Sequence, residues 1–191
     1  MVLDDASLAE PLAAALARGG LRTAEITFRT AAAAESIRIM AADPEMLVGA
    51  GTVLTQAQVD QAVQAGARFI VSPGFGRSVV RHCQQIGVPV FPGIATATEI
   101  QMALEVGVTT MKFFPAEQLG GAPMVKALAA PFRDVRFIPT GGVTAANLAG
   151  YMDIRAVLAV GGTWMVAPTL LAAGDWAEVT RRTLAAMEVA R

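Results

Sequence analysis

Short apolar segments rich in β-branched and aromatic residues recur along the chain and end in Gly, Pro or Thr. They are AEITF at 24–28, MLVGAGT at 46–52, RFIVSPG at 68–74, VPVFPG at 88–93, TTMKFFP at 109–115, VRFIPTGG at 135–142 and RAVLAVGG at 155–162. The spacing is about 22 residues, the length of one strand, one helix and two short loops. Helical patterns fill the intervals. SLAEPLAAALARGG has Ser7 in place for an N-cap and Gly19 or Gly20 for a stop, and the stretches 57–65, 78–86, 97–106 and 145–152 read likewise.

Strands alternating with helices, and no long antiparallel hairpin, predict a parallel sheet. Seven clear strands and a possible eighth point to an α/β fold of the closed (β/α)8 TIM-barrel type, with a doubly wound open sheet as the alternative. The whole chain, 1–191, is expected to be a single domain with minimal loops, since such barrels typically run to about 250 residues. The first strand is expected to be short. Only Met1, Val2 and Leu3 precede Asp4 and Asp5, where a full strand takes about five residues.

Composition then narrows the class. Mean hydropathy of +0.50 makes a membrane span worth testing, and the uncharged run 156–174 is the place for it. Gly161, Gly162 and Pro168 interrupt that run and read as turns. The apolar surplus fits strands covered on both faces and a subunit interface. A net charge of −1, with basic residues scattered from Arg18 to Arg191, gives no footprint for nucleic acid or anionic lipid, and neither partner is expected. Cys83 is the one cysteine, so no internal disulfide forms, and the opening residues carry no signal-peptide pattern. The cytoplasm is the expected compartment.

Polar residues gather toward the C-terminal ends of the strands, where a barrel carries its chemistry. Lys112 stands among Met111, Phe113 and Phe114. Burial strips hydration from an ammonium and favours the free amine, a nucleophile toward carbonyls. A snorkelling lysine or one half of a buried ion pair is the plainer alternative. In AEITFRT the pleat sets Glu25, Thr27 and Arg29 on one face and Ala24, Ile26 and Phe28 on the other. A lumen-facing Glu25 suits acid/base work and Arg29 suits a carboxylate, although the two could simply neutralise each other. Gly141 and Gly142 close one late strand, and Gly161 and Gly162 precede Thr163 and Trp164 after the next. Loops at these positions of a barrel expose backbone N–H groups to phosphate, though turns alone also use glycine. His82 has no second histidine and sits beside Cys83 in a helical stretch, so no metal cluster is expected, and both read as packing or surface residues. A GxGxxG fingerprint is absent, which argues against a dinucleotide cofactor.

EITFRT, GAGTVL, SPGF, FPGIAT, KFFPAE, PTGGV and GGTW, in this order, closely resemble the 2-keto-3-deoxy-6-phosphogluconate and 4-hydroxy-2-oxoglutarate aldolase family. The resemblance runs from about Leu8 to the C-terminus. It implies a class I aldolase on a (β/α)8 barrel, usually a homotrimer, without metal or other cofactor. It implies Lys112 as the Schiff-base lysine and Glu25 as general acid/base. Arg29 and Thr52 would bind the carboxylate of the pyruvate half, and Pro73, Phe114 and Thr140 would line the imine pocket. Gly141, Gly142, Gly161, Gly162 and Thr163 would receive the phosphate, Thr163 standing where many members carry serine. The substrate implied is a phosphorylated 2-keto acid, 2-keto-3-deoxy-6-phosphogluconate first. The galactonate epimer or 4-hydroxy-2-oxoglutarate are the nearest alternatives, and a non-catalytic module binding a sugar-acid phosphate is the alternative of another class. The resemblance also implies a helix and a complete first strand ahead of Asp4, so closure at that edge of the barrel is expected to be imperfect.

Overall fold

The computed structural model describes residues 1–190. Its strands are β1 (Thr23–Thr27), β2 (Leu47–Gly51), β3 (Phe69–Val71), β4 (Val90–Phe91), β5 (Gly93–Ile94), β6 (Thr110–Phe113) and β7 (Arg136–Pro139). Its helices are α1 (Ala9–Arg18), α2 (Ala33–Met40), α3 (Gln56–Gln64), α4 (Arg77–Gln85), α5 (Ala97–Leu104), α6 (Gly121–Ala129), α7 (Leu148–Met152), α8 (Pro168–Ala173) and α9 (Trp176–Val189).

Every strand pair is parallel, and the order along the sheet is the order along the chain: β1-β2-β3-β4, then β5-β6-β7. β4 and β5 are two halves of the strand expected at 88–93. Pro92 has no N–H for the ladder and separates them, so β4 pairs with β3 while β5 pairs with β6. The segment expected as the strand 155–162 forms two isolated parallel bridges, Val157 with Phe137 of β7 and Gly161 with Thr140 just beyond it. At the other edge Met1–Leu3 runs beside β1: Thr27 N donates to Met1 O at 2.9 Å and Thr27 Oγ1 does so at 3.0 Å. This unreversed progression is that of a (β/α)8 barrel. A doubly wound sheet, whose strand order reverses at a switch point, would not give it.

The pleat sorts the side chains as alternation requires. In β1, Ala24 and Ile26 are buried at 3% and 0% on the helix side, and in β6 Met111 and Phe113 are wholly buried. Glu25, Thr27 and Lys112 take the opposite face. Apolar residues of strands and helices form one contiguous cluster from Leu3 to Val179.

Two helix starts differ from the expectation. Asp5, not Ser7, caps the first helical turn: its side chain accepts Ser7 N at 2.8 Å, and a short 3-10 turn at Ala6–Leu8 leads into α1. α7 begins at Leu148 rather than 145, because the Asn147 side chain ties down the loop before it. Its Oδ1 accepts Thr144 N at 2.7 Å and its Nδ2 donates to Gly142 O at 3.2 Å. α3, α4 and α5 start within one residue of the expected 57, 78 and 97, with Thr55 capping α3 and a Thr96–Glu99 capping box on α5.

Candidate active site

Lys112 is 6% exposed, and its Nζ lies 3.5 Å from Glu25 Oε1. The same ammonium stands 5.0 Å from the centroid of the Phe114 ring, a cation–π distance. β6 and β1 are not neighbours in the sheet, so the two side chains meet across the lumen. The acid/base pair and the buried ion pair expected as alternatives are thus one contact. Burying two charges without further partners costs several kcal/mol of desolvation, on the order of what their attraction returns. A pair kept in a half-open lumen therefore suits chemistry better than stability.

Glycines let the groups approach. A Cβ at Gly51 would lie 1.9 Å from Glu25 Oε1, so the carboxylate occupies the space that any side chain on β2 would fill. A Cβ at Gly93 would lie 2.1 Å from the Pro73 carbonyl oxygen, so the Pro73 backbone presses on β5 where Gly93 pairs with Lys112. Neither glycine is among the residues singled out in the sequence. Interior strand glycines are nevertheless a sign of close approach, and GAG and FPG offered it.

Thr52 follows Gly51 with φ of 56°. A β-branched residue in the left-handed region costs about 1–3 kcal/mol and persists where its surroundings impose it, most often at functional sites. Arg29 is exposed, and its Nε donates to Thr27 Oγ1 at 3.2 Å. Glu25 pairs with Lys112 and not with Arg29 among the described residues, so the mutual neutralisation considered for Glu25 and Arg29 is not formed and the guanidinium stays available at the mouth. Thr140 lines up with the second glycine pair: a Cβ at Gly161 would meet Thr140 Oγ1 at 2.4 Å.

The backbone of Gly141 and Gly142 is left-handed, with φ of 99° and 79°. A Cβ at Gly141 would press the Phe114 ring at 3.3 Å, so this loop abuts the Lys112 pocket. The N–H groups of Gly141, Gly142, Gly162 and Thr163 donate to no protein acceptor among the described residues, whereas that of Gly161, also expected to receive phosphate, is taken up by Pro139 O at 2.9 Å in the bridge to the preceding strand. A 3-10 turn, Trp164–Val166, follows Thr163, and Gly162 lies flat on the Trp164 ring, where a Cβ would collide at 1.8 Å. These unpaired donors at the mouth are the physical requirement for holding an oxyanion.

The residues singled out in the sequence therefore converge. Lys112, Glu25, Phe114 and Gly141 form a connected series, Pro73 adjoins it through Gly93, and Thr140 meets Gly161. Arg29 follows β1 two residues beyond Thr27, Thr52 follows the paired end of the neighbouring β2, and no direct contact joins Thr163 to the others. His82 and Cys83 lie elsewhere: His82 Nε2 is 2.6 Å from Asp60 Oδ1 between α4 and α3, and Cys83 is wholly buried. No group of three His, Cys, Asp or Glu side chains suited to a metal ion occurs among the described residues. Glu117, beside the glycine loop, had no prior sign beyond its place in KFFPAE.

The family described as "Aldolase: KDPG and KHG aldolase" matches residues 1–182. The 2-dehydro-3-deoxy-phosphogluconate aldolase of Treponema pallidum is 56% identical over 173 residues, 90% of this chain and 82% of that protein. A crystal structure of the 2-keto-3-deoxy-6-phosphogluconate aldolase of Zymomonas mobilis with 3-phosphoglycerate superposes with a TM-score of 0.92 at 41% identity, covering 97% of this chain and 88% of that one. The enzyme of Legionella pneumophila, with pyruvate captured as a covalent carbinolamine, superposes with a TM-score of 0.94 at 37% identity, covering 97% of this chain and 91% of that one.

Proposed function

The chain belongs to the KDPG and KHG aldolase family, and we propose that it cleaves 2-keto-3-deoxy-6-phosphogluconate to pyruvate and glyceraldehyde 3-phosphate through an imine on Lys112. The observation that carries this reading is the buried Lys112 amine 3.5 Å from the Glu25 carboxylate. Proton exchange within this pair supplies the free amine that attacks C2 of the substrate. The carbinolamine loses its C2 oxygen as water, leaving a protonated imine. Glu25, directly or through a water, accepts the C4 hydroxyl proton while the C3–C4 bond breaks. The bonding electrons pass into the iminium to give an enamine, and the aldehyde leaves. Glu25 returns the proton to C3, and water hydrolyses the resulting pyruvate imine to regenerate the amine. Arg29 and Thr52 would hold the carboxylate, Pro73, Phe114 and Thr140 would wall the imine, and Gly141, Gly142, Gly161, Gly162 and Thr163 would receive the phosphate.

The strained φ of Thr52, the cation–π contact of Phe114 and the unpaired amides of Gly141, Gly142 and Gly162 support these roles; Gly161, whose N–H donates to Pro139 O, would serve by its missing side chain. The same reading takes residues 1–191 as a single domain, supported by the continuous core, acting in the cytoplasm as a homotrimer. Among the described residues no helix is long and apolar enough to cross a membrane, and exposed Leu54 and Leu158, at 59% and 58%, are surface that association would cover.

The amides after β7 and beyond favour a substrate that carries phosphate, over 4-hydroxy-2-oxoglutarate. Coupled pyruvate assays on the gluconate-derived, galactonate-derived and five-carbon substrates test this order. The phosphorylated gluconate derivative is expected to give the highest kcat/KM. Equal or better turnover of the five-carbon acid would overturn the assignment.

A further inference from the structure

The Gly141–Gly142 loop is held from behind by three successive carbonyls. Thr140 O accepts from Ala116 N at 2.8 Å, Gly141 O from Glu117 N at 3.1 Å, and Gly142 O from Asn147 Nδ2 at 3.2 Å. The C=O and N–H of one peptide plane point in opposite directions. Anchoring these carbonyls therefore aims the N–H groups of Gly141, Gly142 and Val143 away from the anchors, and none of the three donates to a protein acceptor among the described residues.

Glu117 is an acidic side chain set against this anion-receiving loop, an arrangement that on charge alone opposes phosphate. It is turned aside. The Tyr151 hydroxyl, on a wholly buried ring in α7, donates to Glu117 Oε1. A Cβ at Gly142 would lie 2.6 Å from Glu117 Cβ, and one at Gly121 would lie 3.1 Å from Glu117 Oε1 and 3.4 Å from the Tyr151 hydroxyl. The stem of Glu117 thus lies under the loop, with its carboxylate drawn back between Gly121 and Tyr151.

We propose that Tyr151 and Glu117 form a positioning pair for phosphate binding: Tyr151 holds the Glu117 carboxylate back from the anion-receiving amides of the Gly141–Gly142 loop. The inference rests on the reading of this loop as the phosphate site. Burial first, and then the adjoining carboxylate, push the Tyr151 phenol up from its ordinary range, so it remains a donor at any working pH.

The test is titration of the whole protein with inorganic phosphate by calorimetry, in wild type, Tyr151→Phe, Glu117→Gln and Glu117→Ala, alongside borohydride trapping of pyruvate in each. Tyr151→Phe, which frees the Glu117 carboxylate to face the loop, is expected to weaken phosphate about 10-fold or more, whereas Glu117→Ala, which removes that carboxylate and keeps the residue-117 N–H, is expected to bind phosphate at least as tightly as wild type. Glu117→Gln, whose amide oxygen still accepts, is expected to stay within about twofold of wild type. Pyruvate trapping is expected to be unchanged throughout. Wild-type phosphate affinity in Tyr151→Phe, or weaker phosphate binding in Glu117→Ala than in wild type, would overturn the proposal. So would parallel loss of phosphate binding, pyruvate trapping and thermal stability, which marks a merely structural pair. A wild type that traps pyruvate but binds no phosphate would refute the proposal while leaving imine chemistry standing. Failure to trap pyruvate with the phosphate differences intact would refute the aldolase reading and spare the loop pair. Glu117 is solvent-exposed, so Glu117→Ala gives a readout even where the buried Tyr151→Phe fails to fold.

Discussion

Glu25 reaches Lys112 only because residue 51 has no Cβ, and this makes Gly51 as consequential as either charged group. Gly51→Ala places a methyl carbon 1.9 Å from Glu25 Oε1, and the movable partner is the carboxylate. Displacing a proton-transfer group by an ångström or so is expected to lower kcat about 100-fold. Lys112 itself is untouched, so imine formation with pyruvate should persist. Steady-state cleavage combined with trapping checks this split, and unimpaired cleavage would show that Glu25 is not the proton carrier. Lys112, Glu25 and Arg29 were legible in the sequence because an ionisable residue in an apolar, alternating strand announces itself. Gly51, Gly93, Glu117 and Tyr151 were not, since their parts depend on which atoms another strand or helix brings within contact, and no local pattern records that. The left-handed backbone of Thr52 was hidden for the same reason.

Elements were legible where periodicity and end chemistry agree, as in α3 and α5, whose Thr55 and Thr96 caps stand at the expected starts. They were misjudged where a side chain competes with the helix, as Asn147 does before α7, or where one proline divides a strand, as Pro92 does between β4 and β5. The stretch 155–162 reads as a strand by composition but forms two isolated bridges, with Phe137 and Thr140. α9 shows how an element far from the pocket supports the mouth. Glu178 accepts from Arg181 and Arg182, and Arg182 also donates to Trp164 O at 3.0 Å. These guanidinium contacts hold the Glu178 carboxyl down at about 2. A carboxylate with a depressed folded-state pKa contributes stability above its ordinary value and loses it as the pH falls toward the depressed one. Thermal melts of wild type and Glu178→Gln should therefore differ by a constant, small margin from pH 7 to about 5, and the margin should close as pH drops below about 4.5 toward 2. A margin independent of pH would show that the carboxylate's charge is not what the pair contributes.

At the scale of the whole molecule, the all-parallel progression puts every strand's C-terminal end at one mouth, which is why residues as distant in sequence as Glu25 and Lys112 meet. Cys83 lies away from that mouth, on the buried face of α4. Burial, first of all, pushes its thiol up to about 11. Iodoacetamide at pH 8 is expected to leave native protein unmodified and to alkylate Cys83 only after unfolding. Rapid native alkylation would mean that α4 opens far more readily than its buried core face suggests.

Imine formation on Lys112, the buried lysine of β6 beside Glu25, is what the proposed function stands on. Incubation with pyruvate, reduction with borohydride and peptide mapping by mass spectrometry address it directly, and the chain offers only one other lysine, the exposed Lys126, as a competing side-chain amine. A single reduced pyruvate adduct on Lys112, abolished in Lys112→Ala, is the predicted result. A folded sample giving no adduct, or one confined to Lys126, would contradict the account.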